Sequence, residues 1–155
     1  MGTTPNGLPF PESTDDMRLG AADMQALAEA IDPAMFDTGW VSIASALISP
    51  ATGGGLEARR LGDTVEIIGN VSGSFVDGGI TNIVPVGGIP AQFCPDGGRN
   101  RTAVGYGSSG YPICLLVRPD GSLGYWMRQG VSARSSVQFS IAWTAADTAT
   151  AAAGG

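Results

Sequence analysis

The sequence contains no histidine and no lysine, so every one of its basic side chains is an arginine. Histidine supplies the base in Ser-His-Asp and Cys-His nucleophilic sites and is a frequent zinc ligand, while lysine forms Schiff bases and holds phosphate in P-loops. The composition therefore excludes these mechanisms. An enzyme built on this sequence would be restricted to carboxylate chemistry.

Cysteine is also scarce, since Cys94 and Cys114 are the two cysteines of the chain. They are too few and too far apart for a disulfide framework or a CxxC metal site. Burial as small apolar thiols is the ordinary state of free cysteines, and a bridge between the two is the alternative. We predict no metal and no cofactor.

Long apolar runs are missing, because glycine and charge interrupt the 43% of residues that are hydrophobic. This pattern predicts a core-forming chain without membrane insertion. Seven of the acids lie in residues 1–37 beside a single arginine, whereas residues 38–155 carry seven of each sign. A nearly neutral main part argues against a phosphate-binding surface, so we expect no nucleic-acid partner.

Three prolines mark the N-terminal segment, residues 1–12, as an extended arm, because each removes a backbone donor and restricts the preceding residue. Its apolar residues Leu8 and Phe10 lie two apart in the sequence. An extended peptide in a groove could insert both side chains, whereas a helix face could not. We therefore interpret the segment as a tether.

Residues 13–32 predict a short helix, with Ser13 or Thr14 as its N-cap and Pro33 as its end. An apolar stripe repeats along two heptads of this helix. The stripe packs either on the chain's own β-domain or against the same helix of sister copies. It is formed by Met17, Met24, Leu27 and Ile31.

Residues 40–145 predict a β-domain after a linker at 33–39, and residues 146–155 predict an Ala/Gly tail. Hairpin signals occur at 61–64 and 118–122. In residues 136–144, Val137, Phe139, Ile141 and Trp143 alternate with polar or small residues and should face inward. The fold class is mainly β, an antiparallel sandwich or small barrel. The predicted strands are 40–48, 56–61, 64–71, 79–84, 101–106, 112–118, 122–128 and 136–144.

Two groups of residues are candidates for chemistry or binding. The carboxylates Glu57, Asp63 and Glu66 lie near arginines, which is typical of a solvent-exposed sheet face; a hydrolytic pair is the alternative. Aromatic side chains beside glycines form the second group, as core packing or as a flat ligand platform. These are Tyr106, Tyr111, Tyr125 and Trp126.

Together, residues 3–32 (TTPNGLPFPESTDDMRLGAADMQALAEAID), the GW at 39–40, LEARRLGDTVEIIGNV at 56–71 and IVPVGGIPAQFCP at 83–95 resemble virion proteins of tailed actinobacterial phages. These are minor tail or fibre-type proteins with an N-terminal arm, a short helix and a β-rich knob. The matching stretches cover about two-fifths of the chain.

This resemblance implies a homotrimer on the virion surface, made in the bacterial cytoplasm and not an enzyme. Leu8 and Phe10 would anchor it to other virion proteins in the capsid or tail, and Met17, Met24, Leu27 and Ile31 would be trimer contacts. The knob would bind the host surface, a glycan being the expected ligand. Typical fibres carry a long shaft that this chain lacks. The alternative is therefore a capsid decoration protein or head spike without a receptor role.

Overall fold

A computed structural model of the chain describes residues 2–3, 9–10, 20–95, 98–130 and 132–144. The chain divides into two compact units, residues 1–37 and 38–155. The helix of the described residues is too short and not apolar enough to cross a membrane.

The described residues of the first unit form two short strands and one helix. Strand β1 (Gly2–Thr3) pairs antiparallel with β2 (Pro9–Phe10), with Gly2 opposite Phe10. The backbone at these four described residues is extended. Helix α1 spans Gly20–Met35 and contacts β2.

Helix α1 ends later than the sequence predicted. Alanine-rich composition favours this helix, and Gln25 Nε2 donates a hydrogen bond of 2.7 Å to Glu29 Oε1 one turn later. Pro33 was expected to end it, yet the helix continues to Met35. A proline this close to the C-terminus removes one amide donor, and only two residues follow it. The predicted linker at 33–39 is correspondingly shorter, because the Thr38 amide already donates to Arg60 O (3.0 Å).

The second unit is one curled antiparallel sheet of eight strands, a half-barrel, which confirms the predicted fold class. The strands are β3 (Val41–Ser42), β4 (Ala51–Leu61), β5 (Thr64–Phe75), β6 (Thr81–Val84), β7 (Arg101–Gly107), β8 (Pro112–Val117), β9 (Leu123–Trp126) and β10 (Arg134–Thr144). Their order in the sheet is β3-β4-β5-β10-β7-β8-β9-β6. Short 3-10 helices lie at Ala44–Ala46, Ala91–Phe93 and Ser108–Gly110.

The segment after β3 bridges the two edges of the curled sheet. The Ile43 amide donates to Leu56 O on β4 (2.8 Å), and the Ile48 amide donates to Ile83 O on β6 (2.9 Å). The predicted strand at 40–48 was therefore wrong beyond Ser42. Its apolar residues Ile43, Ala46 and Leu47 are three to four positions apart, a helical spacing, and pack on the core through a 3-10 turn.

The interior of the sheet is a continuous apolar core. The alternation predicted for β10 is confirmed, since Val137, Phe139, Ile141 and Trp143 are all buried. The loop between β6 and β7 adds the buried side chains of Ile89 and Phe93. Burial of each large apolar side chain contributes about 1.5–3 kcal/mol, so this interior is the main source of stability.

Strands β4 and β5 are longer than predicted. The strand predicted for β4 began at Leu56, and the strand predicted for β5 ended at Val71. The glycines beyond these points are unfavourable in strands. In the structure Gly53 lies opposite Ser72, and Ala51 opposite Gly73, with a register shift between them. Pairing with the neighbouring strand thus overrides the local preference at both ends.

Gly69 allows the core to close where β5 and β10 pair. It lies opposite Phe139, and a Cβ atom at Gly69 would be 2.3 Å from Phe139 Cε1. The phenyl ring fills the space that a side chain would need. A Cβ atom at Gly55 on the adjacent strand would, by contrast, meet no heavy atom within 4 Å.

We expect Gly69→Ala to lower the free energy of unfolding by about 1–3 kcal/mol, because an added methyl group forces the Phe139 ring to move in a packed core. Urea denaturation followed by circular dichroism measures this. Gly55→Ala is the matched control and should change stability by less than about 0.5 kcal/mol. Equal effects of the two substitutions would contradict the close approach at Gly69.

Candidate functional site

The outer face of the sheet carries a row of exposed polar and aromatic residues across four strands. The register places Gly55 opposite Asn70, Asn70 opposite Gln138, and Gln138 opposite Tyr106. All four residues are exposed, and Tyr106 is 60% exposed. Because adjacent strands lie about 4.8 Å apart, the row is roughly 14 Å long. We call these four residues the outer row.

A hollow lies at the β4 end of the outer row. Its volume is about 180 Å³, and it is lined by Gly55, Glu57, Ile68, Gly69 and Asn70. The missing side chain at Gly55 leaves this space open between Asn70 and Glu57. Glu57, which lies opposite Ile68, is the charged residue among the described residues that line the hollow.

A second depression on the same face is mainly apolar. It has a volume of about 400 Å³ beside Trp126 on β9. Trp126 is 45% exposed and lies opposite Cys114, which in turn lies opposite Val104. The lining residues are Gly79, Ile80, Thr102, Cys114, Leu115, Leu116 and Trp126.

The predicted aromatic platform does not form as a group of four. Tyr106 and Trp126 both lie on the outer face, two strands and two residues apart, which corresponds to roughly 12 Å between Cα atoms. Tyr111 is partly buried, and the guanidinium carbon of Arg134 lies 4.9 Å from its ring centre. A cation-π contact therefore covers one face of that ring.

Tyr125 was a wrong prediction for the platform. It is 1% exposed and pairs with Leu115 on the inward face of the sheet. Its ring meets Phe75 edge to face, with centroids 5.1 Å apart, and its hydroxyl accepts a 3.2 Å hydrogen bond from the Val76 amide. A tyrosine held in this way stabilises the core and cannot contact a ligand.

The hairpin that carries Trp126 is held by a polar cluster at the β8–β9 turn. Arg118 Nη1 donates to Asn82 Oδ1 (2.8 Å) and to Ser122 Oγ (2.9 Å). Asp120 Oδ1 accepts hydrogen bonds from the Ser122 hydroxyl (2.6 Å) and the Ser122 amide (2.9 Å). Gly121, with φ of 77°, completes the turn that the sequence predicted.

This cluster lowers the pKa of Asp120. The hydrogen bond from the Ser122 hydroxyl is the main cause, the Ser122 amide adds to it, and the charge of Arg118 acts in the same direction. All three stabilise the ionised carboxylate relative to the unfolded chain. The turn is therefore stabilised when Asp120 is charged.

The two cysteines are free thiols and both are partly buried, so the alternative of a bridge is not found. Cys94 Sγ donates to Ile89 O at 3.5 Å. Burial raises the pKa of the Cys94 thiol, and the negative charge of Asp120 raises it further. Both effects disfavour the thiolate form of Cys94.

The three candidate carboxylates lie along the β4–β5 hairpin. Asp63 Oδ1 lies 3.9 Å from Arg60 Nη2 at the turn. Glu66 Oε1 accepts a 2.9 Å hydrogen bond from the Ser140 hydroxyl, and Glu66 lies opposite Arg59. This arrangement matches the interpretation of a solvent-exposed charged face. Among the described residues, no group of three or more His, Cys, Asp or Glu could hold a metal ion.

The predicted contacts of the first unit are described only in part. Met24 is 67% exposed, and Leu27 and Ile31 are partly buried. Leu8 and Met17 lie outside the described residues, as does the predicted tail at 146–155, and the side chain of Phe10 is not described.

Sequence reasoning missed Asn70 and Gln138 as candidate binding residues. Strand alternation places each of them on the outer face. Their adjacency to Tyr106, however, follows from pairing between distant parts of the chain. No local motif signals it.

Comparison with protein-family models gave no match, and comparison with curated proteins gave no significant match.

We expect the Asp120 carboxylate to contribute to stability at neutral pH and to lose that contribution in acid. Its pKa is lower in the folded chain than the ordinary 3.8, so the contribution is complete above that value and disappears as pH falls through the folded pKa. Asp120→Asn should therefore be less stable than the parent near neutral pH, and the difference should shrink below about pH 4. Urea unfolding of both proteins across this range measures the effect.

Other acids titrate in the same range, so the comparison uses the difference between the two proteins at each pH. Asp63→Asn serves as the control at the other predicted hairpin turn. A difference for Asp120→Asn that stays constant into strong acid would contradict the role assigned to the charge.

Proposed function

We propose that the chain is a bacteriophage virion protein, a short homotrimeric fibre or spike that is anchored by its first unit and displays the β-domain for binding to the host surface. The observation that carries this proposal is the outer face, where Tyr106 and Trp126 are exposed on a sheet whose core is complete without them. Exposed aromatic side chains beside open depressions are typical of binding surfaces.

The helix supports the trimeric part of the proposal. The apolar side chain of Met24 is 67% exposed, and the stripe continues through Leu27 and Ile31. A helix of 16 residues has little stability by itself in water, so packing of this stripe is needed to hold it. Sister helices at a and d positions provide such packing.

A specific observation also favours the second candidate, a capsid decoration protein or head spike without a receptor role. Helix α1 ends at Met35, and the Thr38 amide is already bonded to Arg60 O on β4. The described chain therefore has no shaft between helix and β-domain. A spike without a shaft is compatible with either location on the particle, and retention on the host envelope distinguishes the two functions.

We expect Met24→Glu to convert the trimer into monomers, because three carboxylates would meet at the helix seam without counter-charges. Light scattering of the purified full chain measures the mass. Ala22→Glu is the matched control, because Ala22 is exposed and lies two residues before Met24, outside the apolar stripe. A parent protein that is monomeric at working concentrations would contradict the trimer.

We expect the full chain to be retained on isolated host cell envelope, and Tyr106→Ala and Trp126→Ala each to weaken retention about tenfold through loss of an aromatic contact. Trp40→Ala is the control, since Trp40 is exposed to a similar extent, 43%. Retention is measured by co-sedimentation.

The same preparation tests the virion assignment. Antibody raised against the full chain should label the phage particle in electron micrographs. Labelled particles with no envelope retention would favour the decoration protein. Absence of label would overturn the proposed function as a whole.

A further inference from the structure

We propose that the outer row is a binding site for a neutral oligosaccharide, lying across β7, β10, β5 and β4 and ending in the hollow beside Glu57. This rests on the proposed function, because it names the chemistry of the host-surface component and the residues that contact it. The site consists of Tyr106, Gln138, Asn70, Gly55 and Glu57.

The side chains of the outer row can contact both the C–H face and the hydroxyl groups of a sugar. Tyr106 offers an exposed aromatic ring on which the C–H face of a pyranose can stack. Gln138 and Asn70 follow on the next two strands, and each carboxamide both donates and accepts hydrogen bonds. Such paired donors and acceptors are suited to neighbouring hydroxyl groups. Both side chains are exposed, so a ligand can reach them.

The hollow supplies the end of the site. Gly55 has no side chain to fill it, and Ile68 provides an apolar contact beside the carboxylate of Glu57 and the amide of Asn70. A carboxylate accepts hydrogen bonds from hydroxyl groups and is stronger in this role than a neutral acceptor. The volume of about 180 Å³ is small, which fits one terminal sugar unit better than a larger group.

The charge of the proposed site disfavours acidic ligands. Glu57 is negative, and neither the outer row nor the described lining of the hollow contains an arginine. An anionic sugar, a phosphate or a sulfate would meet the like charge of Glu57 in the hollow. The site therefore selects uncharged glycans.

The depression beside Trp126 is a weaker candidate for the same ligand. Its lining is largely aliphatic, with Ile80, Leu115 and Leu116 among the residues. Sugar hydroxyls placed there would lose hydrogen bonds to water without finding replacements. The outer row, in contrast, offers polar partners along its length.

The test is a binding assay of the full chain on an array of neutral and acidic oligosaccharides, followed by calorimetric titration with the neutral oligosaccharide that binds best. We expect Asn70→Ala and Gln138→Ala each to weaken binding about fivefold to tenfold, the loss of one or two hydrogen bonds. Gly55→Gln should abolish binding by filling the hollow, where a Cβ atom meets no neighbour. Thr144→Ala, an exposed change on the outer face of β10, is the control.

Three results would overturn the proposal while the proposed function stands. These are envelope retention without binding to any neutral oligosaccharide, preference for acidic oligosaccharides, and glycan affinity unchanged in Asn70→Ala and Gln138→Ala. Circular dichroism confirms that each variant is folded. Failure of envelope retention together with failure of particle labelling would instead remove the proposed function itself.

Discussion

The pairing of β5 with β10 is the constraint on which the rest of the β-domain depends. It fixes, residue by residue, that Ile67 lies opposite Ile141 and Val71 opposite Val137 on the inward face. The same register fixes that Asn70 lies opposite Gln138 outside. Because side chains alternate along a strand, a slip of one residue would exchange the two faces. Core formation and the assembly of the outer row are thus one event.

Local chemistry predicted a large part of this fold. The turns at 61–64 and 118–122 follow from glycine beside aspartate, and the inward face of β10 follows from its alternation. The candidate site was harder to predict from the sequence, because its residues come from three separate parts of the chain. Tyr125 and Trp126 illustrate the difficulty. Strand alternation predicts that one of these two side chains faces inward, but only the pairing of Tyr125 with Leu115 shows which of them it is.

The edges of the curled sheet were the other failure of sequence reasoning. The apolar residues after Ser42 resemble a strand in composition, but their amides bond to β4 and β6 at two different places. They are used to cover the gap that eight strands leave open. The loop before β7 does the same at the β8–β9 turn, where the Ile89 amide donates to Gly121 O (2.9 Å). Tertiary closure, which has no local signature, decided both conformations.

The outer row has a consequence for adaptation. Its side chains stand on strands whose other face forms the core, so exchanging Tyr106, Gln138 or Asn70 leaves the interior contacts intact. Surface substitutions of this kind change stability by about 0.5 kcal/mol or less. Single codon changes can therefore alter what the sheet presents to solvent at almost no cost to folding. Under the proposed function, a phage that carries this β-domain can adapt its binding surface to a changed host by substitutions that leave the fold intact.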